Sequence, residues 1–167
     1  MNPKLLHKPE YYMHQALALA KVAAQQGEVP VGAVVVAANG EIIGRGFNQC
    51  IGQNDPSAHA EIQALREAGR TLGNYRLQGC SLYVTLEPCT MCIGALINAR
   101  IQTLYFAAKE PRTGAIASVC NLPAQPWFNH RLEVRGGLLQ GAAKKMLEDF
   151  FQTKRAKKTG DTNLNQA

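Results

Sequence analysis

Two short segments carry the residue types that do chemistry: Pro56-Ser57-Ala58-His59-Ala60-Glu61 and Pro88-Cys89-Thr90-Met91-Cys92. Cys89 and Cys92 are three positions apart. At the start of a helix, residues at that spacing share a face, so both sulfurs can reach one ion. A helix N-terminus also favours thiolate over thiol. Alone, such a pair suits a redox couple, half of a structural zinc site, or two small core residues. A structural zinc site needs four protein ligands, and the chain has neither a second Cys-x-x-Cys nor a His-x₃₋₅-His. His59, in the first turn of a predicted helix, offers a third donor. Three protein ligands leave one tetrahedral position of a zinc ion open, which is the mark of a catalytic site. Glu61 points about 200° away from His59 on a helix. It is badly placed to ligate the same ion and well placed to lean over a water bound there. Two thiolates and a neutral imidazole cancel the charge of Zn²⁺, yet the ion still lowers the pKa of water from about 16 toward about 7. Glu61 can take that proton and pass it to a substrate nitrogen. Attack on a ring carbon bearing an amino group, with loss of that group, is hydrolytic deamination. A helix-start histidine followed by a first-turn acid is ordinary on its own, because the helix dipole favours the acid. The Pro-Cys-x-x-Cys downstream makes it informative.

These residues need elements to hold them. The chain has 167 residues, 46% apolar and 18% charged, which fits one globular domain. A helix is predicted over 10–24, with Met13, Leu17, Ala20 and Ala24 on its buried stripe. Residues 31–37 read as a strand buried on both faces. Asn39-Gly40 signals a hairpin, with the return strand over 41–47 and a loop over 48–57. A helix over 58–69 would bury Ile62, Leu65 and Ala68. Strands over 81–86, 101–107 and 132–135 alternate with a buried helix over 89–99. An amphipathic helix over 141–154 follows, with Ala143, Met146, Leu147 and Phe150 as its core stripe. This order implies an α/β fold, a mixed sheet with helices on both faces. Both motifs fall just after strands, where sites gather in open α/β sheets.

An odd cysteine count with one close pair does not suit a disulfide framework. It suits a reducing compartment. Cys50, Cys80 and Cys120 are expected to be small core residues, and His7 and His14 surface or capping residues, with His130 unassigned. Met1 to Glu10 lacks an apolar core like that of a signal peptide, and no apolar run approaches the roughly 20 residues of a membrane span, so the cytoplasm is the expected location. The net charge is +6. Much of it lies in 144–158, where Lys144, Lys145, Lys154, Arg155, Lys157 and Lys158 face only Glu148 and Asp149. Such a stretch is either a phosphate-binding surface or a solvated helix end.

The motif H-x-E with a downstream P-C-x-x-C resembles that of zinc-dependent nucleobase deaminases. The wider pattern, from about Tyr11 to Phe151, is similar to the bacterial tRNA-specific adenosine deaminases of the cytidine deaminase superfamily. It is carried by Glu28-Val29-Pro30-Val31-Gly32-Ala33-Val34, His59-Ala60-Glu61-Ile62, Asn74-Tyr75-Arg76-Leu77, the run from Tyr83 to Cys92, Arg112-Thr113-Gly114-Ala115 and Asn129-His130-Arg131. The resemblance implies a three-layer α/β/α cytidine-deaminase-like fold with a mixed central sheet of about five strands. It implies a single deaminase domain over 1–157, with 158–167 as a flexible tail, and a homodimer with active sites near the interface. It implies one Zn²⁺ per subunit on His59, Cys89 and Cys92, Glu61 as proton shuttle, and Asn48 as a hydrogen-bonding partner of the nucleoside. The implied reaction converts adenosine to inosine at the wobble position of a tRNA anticodon stem-loop, whose unstacked bases are cheap to extrude. Lys154 and Arg155 would hold its phosphates. Where the family more usually has glycine, aspartate and lysine, this chain has Ala107, Glu110 and Arg112, in a loop that would border the substrate. Two other readings share the zinc motif: a deaminase of a free base or nucleoside such as guanine or cytosine, and a non-catalytic zinc-stabilised nucleic-acid-binding module.

Overall fold

The N-terminal helix α1 (Pro9–Gln25) starts with proline in its first turn, where a missing N–H costs nothing. It buries Tyr12, Met13, Ala16, Leu17, Ala20 and Ala23, a wider stripe than the predicted one, with Ala24 only half-buried. The computed structural model describes residues 8–164. The remaining elements are β1 (Gly32–Val36), β2 (Ile42–Phe47), α2 (Cys50–Gln53), α3 (Ala60–Leu72), β3 (Ser81–Leu86), α4 (Thr90–Asn98), β4 (Thr103–Ala108), β5 (Glu133–Gly136) and α5 (Gln140–Leu164).

The five strands form one mixed sheet in the order β2-β1-β3-β4-β5. β1 pairs antiparallel with both β2 and β3, while β3, β4 and β5 run parallel. The turn joining β1 and β2 has Gly40 at φ +88°, with Asn39 Oδ1 accepting the Glu41 N–H. Alternation along β1 sends Ala33 and Val35 to one face and Val34 and Val36 to the other. The first face packs on α3 and α4 through Ala60, Ala64, Ala68, Ile93, Leu96 and Ile97. The second packs on α1 and α5, where Ala143, Met146 and Leu147 occupy the expected stripe; Phe150, its expected fourth member, is half-buried under Lys154 and outside that core. The three-layer α/β/α expectation is met.

Several boundaries differ from the sequence reading. The 48–57 stretch contains the short helix α2, too brief to show a period. α3 and α4 begin one residue after His59 and Cys89, so both are N-cap residues, outside the first turn. α5 runs on to Leu164, so a tail starting at 158 begins within a helix; residues 165–167 lie outside the described residues, as does His7. On α3 the small residues Ala60, Ala64 and Ala68 face the sheet, and the expected core residues Ile62 and Leu65 are only half-buried. The reason is distance. A Cβ added at Gly46 would lie 2.2 Å from the Ala60 carbonyl oxygen, and one at Gly44 2.2 Å from that of Ala64. Only small residues fit such a close helix–sheet contact.

Gly46→Ala should therefore lower the unfolding free energy by about 2 kcal/mol or more, since backbone cannot yield as a side chain can. Gly141→Ala, in α5 with nothing within 4 Å of the added Cβ, should be neutral or slightly stabilising. Urea denaturation of the two variants compares them directly.

Candidate active site

β2, β3 and β4 end at one edge of the sheet, because β1 is antiparallel to both of its neighbours and β4 is parallel to β3. The segments that follow these strands hold Asn48 and His59, then Cys89, then Glu110. Two helix N-termini, of α3 and α4, thus meet at that edge with His59 and Cys89 as their caps. Asn48 joins the first two segments, its Oδ1 accepting the Ala60 N–H at 2.9 Å. The Gly32 N–H donates to Thr85 Oγ1 at 3.1 Å and ties β1 to β3 at the same level.

His59 Nδ1 lies 3.5 Å from Cys92 Sγ and 3.7 Å from Cys89 Sγ. All three donor atoms fall within 4.8 Å of one another. Bonds of about 2.3 Å to sulfur and 2.0 Å to nitrogen, at a tetrahedral angle, put N and S about 3.5 Å apart. The donor set fits zinc in kind and spacing. Cys89 is held at about 4, chiefly by hydrogen bonding with the Cys92 side chain; burial opposes this, and His59 assists. Contact with Cys89, followed by burial, pushes Cys92 the other way. The Cys92 thiol thus donates to the Cys89 sulfur, and a divalent cation bound to both would displace that proton. Contact with Cys89 raises His59, against the effect of burial.

Glu61 is buried at 4% exposure, and burial pushes it up to about 7, against the pull of backbone hydrogen bonding and His59. Its carboxyl is hydrogen-bonded to the Cys92 side chain, while the donor atoms that cluster for a metal are those of His59, Cys89 and Cys92. A carboxyl that changes protonation near neutrality, beside three convergent metal donors, can carry protons for hydrolysis.

The flanking residues are less tightly gathered. Glu110 turns its carboxylate onto its own loop, accepting the Arg112 N–H at 2.9 Å. With Lys109, Arg112, Lys144 and Arg155 it lines a groove of about 930 Å³ between that loop and α5. Lys154 lies on the other flank of α5, beside Lys21 and Lys157, with its ammonium 5.4 Å from the Phe150 ring centroid. Lys154 and Arg155 are thus adjacent in sequence and divided by the helix. Glu148 and Asp149 pair with Lys144 and Lys145. Three expectations need correction or completion. Cys120 is exposed and Cys50 half-buried, leaving Cys80 alone of the three in the core. His130 Nε2 donates to the Ile101 carbonyl at 2.6 Å, and Arg100 to Asn129 Oδ1 at 2.8 Å, so the Asn129-His130-Arg131 segment ties the sheet's opposite end.

The sequence reading assigned no role to Glu87. This residue is 2% exposed. Burial would raise its carboxyl, but hydrogen bonds from Ser118, Ala117 and Glu110 hold it at about 2. Its place directly before Pro88-Cys89 was the available signal.

Fold and cluster together define a class, the zinc-dependent deaminases. The family model for the cytidine and deoxycytidylate deaminase zinc-binding region matches residues 6–108, and the chain belongs to that family. Within it, the chain falls with the tRNA-specific adenosine deaminases. The tRNA-specific adenosine deaminase of Haemophilus influenzae is 48% identical over 149 residues, covering 89% of this chain and 86% of that protein. A solved tRNA:A34 deaminase, described for A-to-I editing at the wobble position of transfer RNA, superposes with TM-score 0.79 at 43% identity; it covers 82% of this chain and 99% of that one. A guanine deaminase from Nitrosomonas europaea has TM-score 0.74 at 28% identity, with 89% and 87% covered.

Cobalt(II) titrated into metal-stripped protein should give a thiolate-to-metal charge-transfer band. Cys89→Ser and Cys92→Ser should each weaken it, and His59→Ala should shift the ligand-field bands while leaving it in place. A band indifferent to both cysteines would exclude this donor set.

Proposed function

We propose that this protein hydrolytically deaminates adenosine to inosine at the wobble position of a tRNA anticodon, with His59, Cys89 and Cys92 holding one Zn²⁺ per subunit and Glu61 moving the protons. The observation that carries the reading is the meeting of three metal donors with one buried carboxyl at the sheet edge. Its relatives' named activity supports tRNA as the substrate. Zinc bound there supplies the Lewis acidity that activates water at neutral pH. Glu61 accepts a proton from that water as the oxygen bonds to C6 of adenine. It delivers that proton to the ring nitrogen N1, then takes the second from the hydroxyl now on C6 and gives it to the departing amino group, so adenosine and water yield inosine and ammonia. Burial tunes Glu61 for both directions of transfer, since a group titrating near neutrality is both base and acid. With Oδ1 engaged by Ala60, Asn48 retains its amide N–H donors for a nucleoside acceptor.

In this reading residues 1–157 form a single zinc-dependent deaminase domain that acts in the cytoplasm. The odd cysteine count with one close pair accords with that compartment. Among the described residues no helix is long and apolar enough to cross a membrane. The protein works as a homodimer, for which the half-buried Ile62 and Leu65 are the support. With Tyr75 and Ala95 they line an apolar groove of about 680 Å³ along α3 and α4, next to the metal helices, and sedimentation reads the assembly directly. The groove beside Glu110 and Arg155 and the cations of α5 take the anticodon stem-loop backbone.

Glu61→Ala should keep zinc and tRNA binding while kcat for inosine formation, read by nucleoside mass spectrometry on unmodified tRNA, falls by about 10²-fold or more. Unchanged activity would sink the catalytic reading. Ammonia from free guanine or cytosine without inosine would point to the small-molecule alternative. Neutralising Lys154, Arg155, Lys157 and Lys158 together should flatten the salt dependence of tRNA binding, by roughly one unit of slope for each phosphate that is no longer neutralised. The same slope in the variant would mean a merely solvated helix end.

A further inference from the structure

Glu87 is a buried carboxylate that the proton-transfer chemistry does not use. It sits between β3 and the Pro88-Cys89 turn, its own N–H bonded to the Ala108 carbonyl at 2.8 Å. Its side chain gathers the loop that follows β4. Oε1 accepts three successive backbone N–H groups, from Ile116 at 3.2 Å, Ala117 at 2.8 Å and Ser118 at 3.0 Å. Oε2 accepts the Glu110 N–H at 3.0 Å and the Ser118 hydroxyl. A Cβ on Gly114 would stand 2.4 Å from the Glu87 carboxyl carbon, so the loop closes on the carboxylate only because residue 114 has no side chain. The Ala115 N–H donates to the Pro88 carbonyl at 2.9 Å and seals the loop against the metal-binding turn. No apolar core does this for the 109–113 stretch, whose residues are mostly exposed. Its shape rests on polar contacts: Glu110 is anchored to Glu87, and the Arg112 and Gly114 N–H groups in turn bond to the Glu110 carboxylate and carbonyl at 2.9 Å each.

That stretch contributes Lys109, Glu110 and Arg112 to the groove that α5 faces with Arg155. We propose that Glu87 is a positioning residue for RNA binding: it fixes the 110–118 loop on the Pro88-Cys89 turn, so that the wall of this groove meets the nucleotides flanking the reacting base at a set distance from the metal donors. This rests on the tRNA reading above. Glu87 touches neither substrate nor water in this role. Its loss is felt in substrate capture, and the proton transfers run by Glu61 proceed as before.

The two oxygens of Glu87 serve different donors, which gives the test its resolution. In Glu87→Gln the one remaining oxygen is best used by the three N–H groups of 116–118. The new NH₂ can donate to Ser118 Oγ, which reverses its role, but it then opposes the Glu110 N–H. Amide exchange in the free protein should rise about tenfold at Glu110, the consequence of losing one charge-assisted hydrogen bond, and change less at Ile116 to Ser118. With an anticodon stem-loop RNA, KM should rise about tenfold and kcat should stay within about threefold, at unchanged zinc content. Ser118→Ala keeps the carboxylate and removes one donor, so it should move exchange at Glu110 and KM in the same direction by a smaller factor. Unaltered Glu110 exchange in Glu87→Gln, or a loss confined to kcat at wild-type KM, overturns the proposal. Should Glu87→Gln not fold, Ser118→Ala decides, and wild-type exchange with wild-type KM there overturns it. Exchange is read without substrate, so a wild-type protein that makes no inosine would defeat the tRNA reading and leave the clamp itself measured.

Discussion

The direction of β1 is the constraint on which the site depends. Antiparallel to β2 on one side and to β3 on the other, it makes those two strands point the same way and end at the same edge. His59 follows the first and Cys89 the second, so residues thirty positions apart arrive together. Their spacing is then a matter of how closely α3 can lie on the sheet. Gly44 and Gly46 on β2 and the alanines of α3 bring the helix down until backbone nearly touches Cβ positions, and Ala60, the residue next to His59, is one of the contact points. Packing of the smallest side chains thus sets the metal-donor distances, as expected where interiors are close-packed and cannot absorb an extra methyl group.

Two buried carboxylates flank the metal donors and differ in charge state for identifiable reasons. Glu61 is pushed toward 7 by burial, which outweighs its backbone hydrogen bonding and the one from the Cys92 side chain. Glu87 is just as hidden but surrounded by N–H and O–H donors, which hold it near 2. The first can exchange protons at neutral pH. The second is a fixed negative charge, suited to organising backbone dipoles. The same side-chain chemistry is divided into a mobile-proton role and a static one by what each oxygen can accept.

The chemistry was readable from the chain because metal ligation demands particular side chains at short spacings. Cys89-x-x-Cys92 and His59-x-Glu61 are local patterns, and the open fourth position follows from counting donors. The alternation of apolar strands and amphipathic helices likewise pointed to the layered α/β architecture, since the 2.0 and 3.6 periods are local properties. The α5 stripe of Ala143, Met146 and Leu147 was found where the period put it. Ile62 and Leu65 were misjudged because hydrophobicity alone cannot tell a face that meets the sheet from one left apolar for another purpose. The close glycine–alanine contact decided that instead. Cys120 and Cys50 were misplaced for a related reason: isolated positions in irregular segments have no period to betray their burial.

What the sequence by itself determined is therefore which residues could serve as metal donors and as general acid/base, and the class of fold, all written in residue types and near-neighbour spacing. Only the tertiary structure decided that His59 and Cys89 cap their helices, that Arg155 and Lys154 face different grooves, and that one carboxylate at position 87 holds the 110–118 loop. Those facts depend on contacts between segments far apart in the chain. No local period or propensity records them, because the partners of each side chain are chosen by strand direction and by how closely the layers pack.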